Sequence, residues 1–77
     1  MTDVMTEQRA GEVLERYPHK WGELEGAWPE EQGEMEELAA ALAWSWREHW
    51  QEPGFMQPPR WLVERVEELI EERVWPE

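Results

Sequence analysis

The side chains best equipped for chemistry in this 77-residue chain are its carboxylates, 18 Glu and one Asp, together with seven Trp. Between Pro59 and Trp75, the residues Glu64, Glu67, Glu68, Glu71 and Glu72 recur at intervals of three and four, the spacing that places helical side chains on one face. Carboxylates in such a row can pair with Arg, attract a basic surface or share a divalent cation. The pairs 64/68, 67/71 and 68/72 are like charges four residues apart, each costing a helix about 0.2–0.5 kcal/mol. Glu71 and Glu72 also crowd the negative end of the helix dipole, where acids are disfavoured. Helix stability alone does not select this face. On an uninterrupted helix Trp61 and Trp75 project to the same side, bracketing the acids over about 21 Å at 1.5 Å per residue. A Trp–acid–Trp strip has the composition of a hot spot for a basic partner, with Trp as anchor and carboxylates for steering and Arg pairing. Trp44 lies off the apolar arc of its own helix and joins the candidate surface. The expected partner-binding residues are therefore Trp61, Glu64, Glu68, Glu71, Glu72, Trp75 and Trp44. The competing expectation is a solvated Glu face, with Trp61 folded back onto Phe55 and Trp75 onto a helix end.

Acid pairs also occur at Glu34/Glu37. With Glu64, Glu67 and Glu68 they resemble the carboxylate pairs of all-α nucleotide pyrophosphohydrolases, a resemblance that implies a small Mg²⁺-dependent nucleotide hydrolase. Those enzymes also use a helical Asp, whereas the only Asp here is Asp3. The Glu-x-x-His motif of di-iron bundles is absent. His19 and His49, in a chain without Cys, are too few for a typical zinc site, and His49 falls in an apolar arc as a structural residue would. There is no nucleophile with a matching base and no Gly-rich phosphate loop. No catalytic residue, metal site or cofactor is expected, and the chain is read as a non-enzyme.

Proline and glycine divide the chain into the elements that would position these residues. A first helix is expected from about Thr6 to Tyr17, with Ala10, Val13, Leu14 and Tyr17 on one face and Pro18 ending it. Residues 18–33 form a long connection anchored by Trp21, Leu24 and Trp28. A structureless loop of that length is unusual, so a short helical turn is expected inside it. A second helix begins between Pro29 and Glu34 and runs to about Gln51. Its core face, Met35, Leu38, Ala39, Leu42, Ala43, Trp46, His49 and Trp50, fills an arc of about 140°, and Trp46 and Trp50 are expected in the core. The segment 52–58 breaks the helix. Pro59 then starts a third helix reaching about Val74, with Leu62, Val63, Val66, Leu69, Ile70 and Val74 turned inward. The expected fold is all-α, a three-helix arrangement in one small acidic domain spanning residues 1–77.

Leu, Ile, Val and Phe together fill only 13 positions, a thin core for which the tryptophans must substitute at roughly 150–250 Å² of buried surface each. The formal net charge of −12 repels nucleic acid and anionic membranes and attracts basic protein surfaces. A base-stacking role for the tryptophans is excluded by the same charge, because single-strand binders need a basic groove. No apolar run approaches the roughly 20 residues that span a bilayer, and Met1-Thr2-Asp3-Val4 lacks the features of a signal peptide, so a cytoplasmic location is expected. These features lead to an acidic inhibitor or adaptor that occupies a basic groove of a larger protein, one that ordinarily holds nucleic acid. In kind it is similar to acidic small proteins encoded by phages and to antitoxins. The alternative is a structural subunit of a homo-oligomer or larger assembly.

Overall fold

The computed structural model describes residues 5–71, 74 and 75. Among them are four helices, α1 (Glu7–Glu15), α2 (Trp21–Gly26), α3 (Gln32–His49) and α4 (Arg60–Leu69), and no strand. The all-α expectation holds, with α2 as the helical turn inside the long connection.

Each boundary has a local cause. Thr6 is extended, and its hydroxyl accepts the Arg9 amide at 3.2 Å, capping α1 with Glu7 in the favourable first turn. Pro18 follows closely on its end. The six residues of α2 are too few to be stable alone, so the element depends on Leu24, which is 1% exposed. The break after α3 is made by Glu52-Pro53-Gly54-Phe55, where the Phe55 amide donates to the Glu52 carbonyl at 3.2 Å and Gly54 has φ +83°. That is the pattern of a type II turn, with Pro preset at its second position and the third requiring a left-handed residue. Pro59 precedes α4, and its carbonyl accepts the Leu62 and Val63 amides.

Helix α3 is central, packing against both α1 and α4. Its buried residues are Leu38, Ala39, Ala41, Leu42, Ala43 and Trp46. From Ala41 round to Ala43 they cover about 200° of the helix circumference at 100° per residue. This is wider than the single-faced arc expected from the sequence because α3 is covered on two sides. Its alanines leave room for neighbours to approach closely. Ala10 and Val13 of α1, Leu24 of α2, and Leu62 and Val66 of α4 complete the helical part of the core. Between α1 and α3, Glu37 receives both Arg16, at 3.2 Å, and Arg9, at 3.6 Å.

The expected third helix is shorter than its periodicity suggested. It ends at Leu69, and Ile70 turns to an extended conformation, φ −115° and ψ 111°. No basic residue occupies the last turn, and Glu71 would meet the negative helix end if the helix continued. Ending at Leu69 leaves Glu67 and Glu68 in the last turn, so the gain from the break is the burial it allows, with Val74 at 0% exposure. The Val74 carbonyl then accepts Arg47 Nε from α3 at 3.4 Å. Trp75, expected on the outer face beside Trp61, instead lies half-buried with its ring 5.9 Å from Trp46 and 6.0 Å from Phe55.

Candidate functional site

The expected strip divides into exposed acids and half-buried tryptophans. Glu64 and Glu68 on α4 are exposed and, with half-buried Glu67, line one shallow depression. Glu71 is exposed just past the helix end, and Glu72 lies outside the described residues. Glu67 was not among the expected binding residues, although its spacing from Glu64 and Glu68 was a visible signal that all three share a surface.

The three tryptophans are anchors of the fold. Trp61 packs edge-on against Trp28, ring centroids 6.4 Å apart, and Arg65 lies 5.5 Å over the Trp28 ring. The two contacts strap the segment between α2 and α3 onto α4. Trp61 thus folds inward as the competing expectation held, but onto Trp28. Phe55 belongs to Trp75. Trp44 is half-buried against the core and meets His49 edge-on at 6.0 Å. It is less exposed than a position off the apolar arc implied, because the chain covers α3 on more than one side. Trp50, expected in the core, is half-buried.

Electrostatically, most of the arginines are engaged by partners within the fold although their side chains stay at the surface. Arg9 and Arg16 meet Glu37, Arg65 covers Trp28, Arg47 holds Val74, and Arg60 Nε reaches Glu64 at 3.1 Å. Among the described residues neither Glu67 nor Glu68 has an ion-pair partner. The outer side of α4 therefore presents carboxylates that attract external cations. His49 pairs with Glu52 at 2.7 Å. Among the described residues no group of three His, Asp or Glu side chains could hold a metal ion. Of the acids compared above with a hydrolase pattern, Glu37 and Glu64 are engaged by arginines.

Because α4 stops at Leu69, only the 64/68 repulsion lies wholly within it. Glu68→Gln removes that single contact and should stabilise the protein by roughly 0.2–0.5 kcal/mol. Urea unfolding of the two proteins measures the difference, and a loss of stability would mean that Glu68 makes a favourable contact within the fold.

No protein-family model, curated protein sequence or solved structure matches this chain.

Proposed function

We propose that this protein is a non-catalytic binding module, an inhibitor or adaptor whose acidic α4 face engages a basic surface of a larger protein. The observation that carries this reading is the use of cations. Arg9, Arg16, Arg47 and Arg65 serve the fold, while Glu67 and Glu68 stand without an ion-pair partner among the described residues. With a net charge of −12, that face steers basic surfaces toward it and offers their arginines paired carboxylates.

A basic groove that ordinarily holds nucleic acid is the kind of partner surface this charge distribution fits. The protein itself should not bind DNA or RNA near physiological ionic strength, since it lacks a basic track from which counterions could be released. Affinity capture from cell extract with wild type and the triple variant Glu64→Gln/Glu67→Gln/Glu68→Gln tests both points. A basic protein should be retained at about 0.1 M salt and released near 1 M, where the Debye length falls from about 10 Å to about 3 Å. The triple variant should lose it at either salt concentration. Equal retention by the variant, or sub-micromolar nucleic-acid binding by the wild type, would rule the proposal out.

A further inference from the structure

Away from the α4 acids, a partly open pocket of about 250 Å³ is lined by residues of α1, the 16–20 link, α2, α3 and the loop after α3, among them Tyr17, Trp21, Leu42, Ser45, Phe55 and Met56. Its walls are mainly apolar side chains, yet Met56 remains 64% exposed. A flexible, polarizable thioether at the edge of an apolar pocket can adapt to whatever enters it. The volume falls below the roughly 300–1,000 Å³ of sites for drug-sized ligands and suits a single large side chain.

The sign of the charge around the pocket indicates what should accompany that side chain. The Tyr17 hydroxyl is held above its ordinary pKa first by burial, then by the nearby negative charge of Glu34, with Glu37 adding to it and Arg16 opposing it. Arg16 is itself paired with Glu37. With Glu37 taken up by Arg16 and Arg9, it is Glu34 together with the net charge of −12 that favours an apolar residue flanked by cations at this pocket.

We infer that this pocket is an anchor site that takes one large apolar side chain, Phe, Leu or Met, from a basic segment of the partner protein, with Met56 closing against it. The inference rests on the proposed function and adds what the partner must carry.

Titrating the isotopically labelled full chain with two acetylated, amidated peptides, Arg-Lys-Phe-Lys-Arg and Arg-Lys-Ala-Lys-Arg, tests it by NMR. The Phe peptide should bind about ten-fold more tightly, and it alone should shift the Trp21 indole N–H and Met56 methyl signals. Salt should weaken both peptides while leaving their ratio nearly unchanged, because the apolar contribution is not screened. Ser45→Leu, which fills the pocket, and Met56→Ala, which removes an exposed side chain, should each bring the Phe peptide down to the affinity of the Ala peptide. Equal affinities, with shifts confined to α4, would overturn the anchor site and leave the acidic-face proposal standing. Failure of both peptides to bind would overturn the two together. Self-association of the free protein that disappears with Met56→Ala would assign the pocket to a second copy of the chain and overturn the inference in that form.

Discussion

Trp46→Ala is expected to remove a large share of the protein's stability. Trp46, on α3, is 2% exposed within the core, with the ring of Trp75 5.9 Å away. Truncating a buried Trp costs about 3–5 kcal/mol, from lost transfer free energy and from the cavity left behind. A chain of 77 residues has roughly 4–12 kcal/mol of total stability at 0.05–0.15 kcal/mol per residue. The small neighbours Ala39 and Ala43 cannot extend into the space, so the cavity should collapse little. Thermal melts followed by far-UV circular dichroism should show the transition lowered to near ambient temperature, or no cooperative transition. Trp44→Ala provides the control, since Trp44 is only half-buried and its loss should be clearly milder. Equal effects at the two positions would contradict the rotational setting of α3.

Trp75→Ala should cost about 2 kcal/mol, the value for a partly buried aromatic that loses its ring neighbours. Its edge-on contact with Trp46 and its tilted contact with Phe55 join the chain after α4 to the core and to the loop after α3. For a domain of this size that loss lowers Tm by about 8–16 °C. Helix content at low temperature should change little, because Trp75 stands outside α4. The near-UV signal of the tryptophan cluster should change markedly. On the continuous helix suggested by periodicity, Trp75 would be a surface residue whose removal changes stability by no more than about 0.5 kcal/mol. The melt therefore distinguishes the two positions for this side chain directly.

These tryptophans also mark where sequence reading succeeded and where it stopped. Pro18, Pro53, Gly54 and Pro59 act through the local backbone, so the divisions between helices were legible to within a few residues. The inward placement of Leu38, Leu42 and Trp46 followed from helical period. Ala41 was missed because a single-arc reading assumes one buried face, and α3 has neighbours on two sides. The end of α4 was misplaced for a different reason. The apolar period continues through Ile70 and Val74, and the acids do not mark the stop, since Glu67 and Glu68 fill the last turn of the shorter helix just as Glu71 and Glu72 would fill that of the longer one. Burial of Val74 and Trp75 resolves the choice, and that contact with α3 lies far away in sequence. The same holds for the Trp28–Trp61 pair and for the pocket, whose walls come from separated segments. Of the candidate site, the clustering of Glu64 and Glu68 was readable because it is local to one helix. Which tryptophans would remain outside was not, because ring pairing depends on tertiary packing.

The disparity in helix length bears on how the chain acquires its structure. At 18 residues α3 exceeds the roughly 12–15 needed for marginal helicity alone, while α1, α2 and α4, with 9, 6 and 10, fall short. An early folding nucleus should therefore contain α3, with α1 and α4 gaining order as they condense upon it. The Trp46–Trp75 contact closes a span of 29 residues, and the Trp28–Trp61 contact closes one of 33, each carrying a loop-closure entropy that its aromatic contact repays only once made. These closures belong to the late part of the pathway, and their loss should chiefly accelerate unfolding. The central helix governs how fast the fold appears, and the distant tryptophan pairs govern how long it lasts.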